Sequence, residues 1–317
     1  MSAPAVLLSI PSYEPLAARL ATAAAGRLEP GAVERRTFPD GERYQRLACD
    51  VRDREVVLLA GTASDPDTLL AYDLAHAVVR QGALRLTWVC PYFGYQTMER
   101  AARPGEVVAA KTRARLMSAV PRAPLGNQVL LVDLHAAGLP HYFDDEVSAF
   151  HLYAKPLALE AARALGGEGL VLAAPDAGRA AWVESLAADL GADTAFVSKR
   201  RRSGSETEVA RVEADVDGRA VVIYDDMVRS GSTLVEAARA FRARGARAVF
   251  AVVTHLVLPG DAVERLRRPG ALDGLAGTDT HPRAREVEGP FVTVRSVAPL
   301  LAAWLTREGD PEAVGRR

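Results

Sequence analysis

The sequence predicts an α/β protein built from two similar halves. Three observations carry this. Short runs rich in β-branched and aliphatic residues alternate with longer runs of helical spacing, the pattern of crossover units on a parallel sheet. The alternation occurs twice along the chain, and 317 residues suffice for two domains that each bury a core. Apolar residues make up 49% and charged residues 25%, the balance of an ordered globular chain.

In the first half, the apolar run 5–10 reads as a strand and 14–25 as a helix with Ala and Leu at helical spacing. Strands follow at 55–60, 84–90 and 128–133, separated by helices at 65–80 and 107–119. A boundary near residue 150 gives a first domain over 1–149. In the second domain, 150–290, strands are expected at 169–173, 194–198, 219–224 and 248–254, and helices at 151–165, 179–190, 232–244 and 261–267. The segment 291–305 reads as a short strand and then a helix, so 291–317 is expected to pack back on the first domain. Gly166-Gly167-Glu168-Gly169 follows a helix and precedes a strand. That is the reverse of a dinucleotide fingerprint, so it reads as a helix stop.

A formal net charge of −1 argues against a broad basic surface, so no nucleic-acid partner is expected and any basic site is local. No run approaches the ~18 apolar residues of a membrane span, so no membrane partner is expected. The opening run 5–10 has no basic residue before it and leads into Pro11. It does not suit a signal peptide, and the cytoplasm is the expected location. Cys49 and Cys90 are the only cysteines; Cys90 closes an apolar run, which predicts a buried thiol rather than a disulfide or metal site.

The segment with the most chemistry is 225–233. A buried-type strand, Val221-Val222-Ile223-Tyr224, ends in the adjacent carboxylates Asp225 and Asp226 and leads through Met227-Val228-Arg229 to Ser230-Gly231-Ser232-Thr233 and a helix. Ligands of open α/β sheets bind at strand C-terminal ends, where a helix N-terminus offers unpaired N–H groups to an anion. Small and hydroxylic residues at 230–233 let the backbone approach a phosphate and add side-chain donors. The two acids accept hydrogen bonds from sugar hydroxyls or hold a hydrated Mg²⁺. Read bottom-up, the loop is a sugar-phosphate cradle; an N-cap turn is the purely structural alternative.

This loop resembles the phosphoribosyl-diphosphate motif shared by phosphoribosyltransferases and ribose-phosphate diphosphokinases. Phe38-Pro39-Asp40-Gly41-Glu42, Pro91-Tyr92-Phe93-Gly94-Tyr95, Asp133-Leu134-His135-Ala136, Pro175-Asp176-Ala177-Gly178, Lys199-Arg200-Arg201 and Thr254-His255 resemble diphosphokinase segments, in the family's order, over roughly 38–300. The resemblance implies two related phosphoribosyltransferase-like domains, each a mostly parallel sheet flanked by helices. It also implies transfer of the diphosphoryl group of ATP to ribose 5-phosphate, with release of AMP.

By position, the resemblance implies that Asp225, Asp226, Ser230, Gly231, Ser232 and Thr233 hold ribose phosphate, and that Phe38, Asp40, Glu42, Arg100 and His135 serve ATP. It assigns His135 and Asp176 to Mg²⁺, and Lys199, Arg201 and Arg100 to the transferring group. The loop 202–209, rich in Ser, Gly, Glu and Thr, has the composition of a lid. A homo-oligomer with active sites at subunit interfaces is implied in the same way. The family's Arg-Gln-Asp-Arg after the aromatic segment reads Thr97-Met98-Glu99-Arg100 here, and its Asp-Thr-Ala-Gly-Thr reads Arg229-Ser230-Gly231-Ser232-Thr233. Both departures look more like the plant-type, phosphate-independent class. Ser232 stands where the family has Gly, a residue suited to left-handed backbone. Two other readings stay open: a catalytically impaired regulatory paralogue, motivated by Thr97 and Met98, and a diphosphokinase or kinase for a different sugar phosphate, motivated by Arg229 and Ser232.

Overall fold

In the computed structural model, the described residues are 3–202, 206–213 and 215–306, with only the backbone described at 177, 198–202 and 206–213. The chain divides into two compact units, one running to Tyr153 and taking up the C-terminal stretch from Ala298, the other running from Ala154 to Val297.

The first unit contains β1 (Ala5–Ser9), α1 (Glu14–Ala23), β2 (Leu28–Pro30), β3 (Val33–Thr37), β4 (Arg43–Leu47), β5 (Glu55–Leu59), α2 (Asp65–Arg80), β6 (Arg85–Cys90), α3 (Ala109–Ser118), β7 (Asn127–Val132) and β8 (Val147–Leu152). Its main sheet is parallel throughout, in the order β2-β1-β5-β6-β7-β8. Strands covered on both faces read as continuous apolar runs, which is why β5, β6 and β7 stand out in the sequence. The helix expected to begin at residue 151 is corrected: His151 lies in β8, and the chain becomes helical only at Lys155, with Pro156 in the first turn where its missing N–H costs nothing. The hairpin β3–β4, absent from the sequence reading, forms a separate two-stranded antiparallel sheet. Its residues are mostly exposed or half-exposed, so it lacks the apolar alternation that betrays a strand.

The second unit runs α4 (Lys155–Gly166), β9 (Val171–Ala174), α5 (Ala180–Leu190), β10 (Asp193–Arg202), β11 (Glu206–Glu213), β12 (Ala220–Val228), α6 (Ser232–Arg242), β13 (Ala248–Leu256), α7 (Ala262–Arg267), β14 (Gly274–Thr278), α8 (Ala284–Val287) and β15 (Val292–Arg295). The sheet order is β11-β10-β9-β12-β13-β14-β15, parallel except for the edge strand β11, which pairs antiparallel with β10. The span 202–209, read as a lid loop, is therefore strand from Glu206 onward. As expected, Gly166-Gly167 stops α4, and Gly167 takes φ 70°. The core fills the space between β12, β13 and α6, where Phe241, Leu234, Val221, Ile223 and Val249 are buried. The final helix α9 (Ala298–Thr306) belongs to the first unit, with Trp304 5.2 Å from Phe150, ring centroid to ring centroid.

Candidate active site

In an open α/β sheet, a crevice forms where consecutive strands leave a central strand in opposite directions. In the second unit the chain passes from β9 outward to β10 and β11, then returns to the other side of β9 as β12 and continues to β13. The switch point thus lies between β9 and β12. The turn 175–179 leaves β9 there, and the loop 229–231 leaves β12.

The first unit has a corresponding point between β1 and β5, but it is filled. Tyr13, after β1, is buried, and a Cβ added to Gly61, after β5, would lie 2.0 Å from the Tyr13 hydroxyl. The second unit's switch point carries the adjacent acids Asp225 and Asp226 and the hydroxyls of Ser230, Ser232 and Thr233.

Asp225 and Asp226 prove to be the last turn of the strand rather than part of a loop, because β12 continues to Val228. Arg179, at the start of α5, reaches both: its Nη2 lies 2.8 Å from Asp226 Oδ2 and its Nε 3.4 Å from Asp225 Oδ1. All three side chains are largely buried, Asp226 being 5% exposed. Burial, and next the adjacent Asp226 charge, raise the Asp225 carboxyl well above the usual carboxylate range, with Arg179 opposing them. Trp182, one turn further along α5, sits 6.1 Å from the ring of Tyr224, the residue before the acids. Sequence reading used Arg179 only as a helix start. The available signal was a cation directly after a strand-ending Pro-Asp-Ala-Gly turn.

Gly231, φ 77°, is the N-cap of α6, and its carbonyl accepts from Val235 N at 3.0 Å. The left-handed residue is therefore Gly231, while Ser232 is the first helical residue, so a serine there meets no backbone demand for glycine. Ser230 and Ser232 hydroxyls are 3.1 Å apart, and Arg265 Nη1 donates to the Ser230 carbonyl at 3.2 Å, which ties the loop to α7. Thr233 is half-buried in the same first turn. These residues, called from sequence as one cluster, stand together at the N-terminus of α6.

Asp176 is exposed, and its Oδ1 accepts from Gly178 N at 2.9 Å, the signature of a turn-forming aspartate. Among the described residues there is no cluster of three or more His, Cys, Asp or Glu suited to hold a metal ion. The exposed Asp176 carboxylate is a donor of the type Mg²⁺ takes, since that ion keeps most of its waters and binds through one or two carboxylates plus substrate phosphates. Lys199 and Arg201 lie in β10, whose described part ends in backbone only at 198–202; their side chains fall outside the described residues.

On the first unit, Phe38, Asp40 and Glu42 share the tip of the β3–β4 hairpin. Phe38 N donates to Glu42 O at 2.8 Å and Glu42 N to Asp40 Oδ1 at 3.0 Å. Phe38 is 38% exposed, with the Arg36 guanidinium 4.9 Å from its ring centroid, so the tip presents an aromatic face and two acids to solvent. His135 N donates to Gln96 Oε1 at 2.8 Å, and Leu134 N donates to His151 Nε2 at 2.9 Å. Buried Gln96 and strand residue His151 thus fix the loop that carries His135, and neither was singled out from sequence. Arg100 is 84% exposed beside Glu99. Cys90 is buried, which pushes its thiol up to about 12, an inert group as expected.

Comparison with known proteins accords with this geometry. Residues 5–120 match the N-terminal domain of ribose phosphate pyrophosphokinase, and residues 148–268 match the phosphoribosyl transferase domain. The ribose-phosphate pyrophosphokinase of Chromobacterium violaceum is 36% identical over 281 residues, covering 87% of this chain and 84% of that protein. The chain belongs to the ribose-phosphate pyrophosphokinase family. The Arabidopsis thaliana chloroplastic ribose-phosphate pyrophosphokinase 2 is 35% identical over 292 residues, covering 90% of this chain and 71% of the relative. The phosphoribosylpyrophosphate synthetase of Mycobacterium smegmatis, a solved structure, superposes with a TM-score of 0.83 at 27% identity, covering 94% and 96% of the two chains.

Proposed function

We propose that this chain is a ribose-phosphate diphosphokinase, converting ATP and ribose 5-phosphate to 5-phosphoribosyl 1-diphosphate and AMP. The observation that carries this is the switch point of the second unit. Two adjacent carboxylates are held there by one arginine, and a left-handed glycine opens a helix flanked by hydroxyls. Asp225 and Asp226 accept hydrogen bonds from the ribose hydroxyls, and Ser230, Gly231, Ser232 and Thr233 receive the 5-phosphate with backbone and hydroxyl donors.

Phe38, Asp40 and Glu42 serve the adenine end of ATP, and Arg100 and His135 its phosphates. Diphosphoryl transfer requires the sugar hydroxyl in line with the β-phosphorus and cations around the transferring oxygens. Lys199, Arg201 and Arg100 supply protein cations for this. His135 and Asp176 would be the residues to serve Mg²⁺, which would supply further charge neutralisation. The reaction takes place in the cytoplasm, in a homo-oligomer with active sites at subunit interfaces. Among the described residues no helix is long and apolar enough to cross a membrane.

The test is to incubate the purified chain with Mg-ATP and ribose 5-phosphate and resolve AMP by chromatography. Sugar-dependent AMP is expected; its absence refutes the proposal and favours the regulatory reading. Replacing ribose 5-phosphate by other sugar phosphates under the same conditions checks the acceptor. Lys199→Ala is expected to lower kcat by about 10² or more, as for loss of one group that stabilises transition-state charge, with KM for ribose 5-phosphate little changed. Near-normal turnover removes Lys199 from that role.

A further inference from the structure

Successive residues of a strand point to opposite faces of the sheet, so Asp225 and Asp226 should diverge. Yet one guanidinium touches both, through Nη2 at 2.8 Å from Asp226 and Nε at 3.4 Å from Asp225. The two carboxylates therefore converge on the guanidinium although both lie within β12, two and three residues before its end. Their mutual repulsion opposes that convergence, and the burial of Asp226 sharpens it. A cation between them offsets part of that repulsion.

Arg179 is well built for this. It sits at the N-cap of α5, its backbone N–H donates to Asp176 O at 3.4 Å, and its side chain is 17% exposed. The planar fork of an arginine can engage two acceptors at once, whereas a lysine ammonium acts as a point charge. Asp225 Oδ1 also accepts from Asp226 N at 2.9 Å, which leaves the acid pair fixed at one edge by backbone and at another by the guanidinium.

We infer that Arg179 is a positioning residue for the sugar acceptor, clamping Asp225 and Asp226 so that together they receive the two adjacent ring hydroxyls of a furanose phosphate. Arg179 then determines selectivity for the vicinal diol without touching the transferring group. This inference rests on the assignment of Asp225 and Asp226 to ribose hydroxyls.

The test compares steady-state AMP release with ribose 5-phosphate and with 2-deoxyribose 5-phosphate, which lacks one hydroxyl, in wild type, Arg179→Gln, Arg179→Lys and Asp226→Asn. In R179Q, KM for ribose 5-phosphate is expected to rise about tenfold to a hundredfold, the loss of one charge-assisted hydrogen-bond partner, while KM for ATP stays put. The preference for ribose over deoxyribose should fall toward unity, with R179K intermediate because an ammonium cannot span both acids.

An equal loss for both sugars, a fall in kcat with KM unchanged, or wild-type behaviour overturns the clamp, since a merely structural ion pair does not move the diol preference. Should R179Q fail to fold, R179K decides: a reduced diol preference supports the clamp and a wild-type preference overturns it. The two levels separate cleanly. If D226N leaves the diol preference intact, the underlying assignment of the acids fails and the clamp with it. If D226N abolishes the preference and R179Q does not, only the clamp fails.

Discussion

Replacing Gly231 by alanine probes the turn that presents the hydroxyls. Its φ of 77° lies in the left-handed region, where a Cβ approaches the following carbonyl, a cost of about 1–2 kcal/mol. The added Cβ would also stand 2.8 Å from Leu266 Cδ2 and 2.9 Å from its Cγ. Leu266 is fully buried in α7 and cannot swing aside, so overpacking adds about 1–3 kcal/mol. The sum is about 2–5 kcal/mol, which at roughly 3 °C per kcal/mol lowers the melting temperature of the second unit by about 6–15 °C. Calorimetric melting reads this directly. Amide exchange at Val235, whose N–H bonds the Gly231 carbonyl, reads it locally.

The two components separate in a double-mutant cycle with Leu266→Ala, which itself costs about 2–5 kcal/mol by opening a cavity. On that background the clash is gone, so Gly231→Ala should cost only the dihedral part, about 1–2 kcal/mol. Equal costs on both backgrounds would refute the clash. An unchanged melting temperature in the single variant would refute both terms.

Two pH effects follow. Because burial and Asp226 raise the Asp225 carboxyl, the folded chain holds its proton more tightly than the unfolded one, and stability falls as pH rises from the ordinary carboxylate range through the raised value. Asp225→Asn should therefore gain stability over wild type on going from pH 4 to pH 8, with weakened ribose 5-phosphate binding; urea midpoints that show a constant difference across that range contradict this. Burial, then the His255 and Arg283 charges, pull His281 from 6.5 down to about 4. The unfolded chain takes up that proton first, so stability is lost as pH falls between those values, by up to ~3 kcal/mol at ~1.4 kcal/mol per unit. His281→Gln should flatten the acid limb of the stability curve, and parallel limbs would rule the histidine out.

Much of the fold was legible because a parallel sheet covered on both faces writes itself as apolar runs. Strands β5, β6, β7, β12 and β13 and their intervening helices were visible for that reason. The hairpin β3–β4 was not, since its residues face solvent and pair only with each other. The end of β8 and the start of α4 were misread as one helix, although Pro156 marked the true start. The span 202–209 reads as a lid loop because its composition is polar, yet from Glu206 it is strand, since backbone pairing with β10 needs no apolar face.

The site divides along the same line. Sequence alone determined that Asp225, Asp226 and the hydroxyls of 230–233 stand together, because they lie close in sequence at a strand end before a helix, and local geometry follows from local order. Tertiary structure alone decided that Arg179, 46 and 47 positions earlier, faces those acids, because only sheet order makes β9 and β12 neighbours. It also moved the left-handed residue from position 232 to Gly231, and it filled the first unit's switch point with Tyr13. These outcomes depend on which strands lie side by side and how closely their loops approach, and such contacts between distant segments leave no periodic trace in the chain.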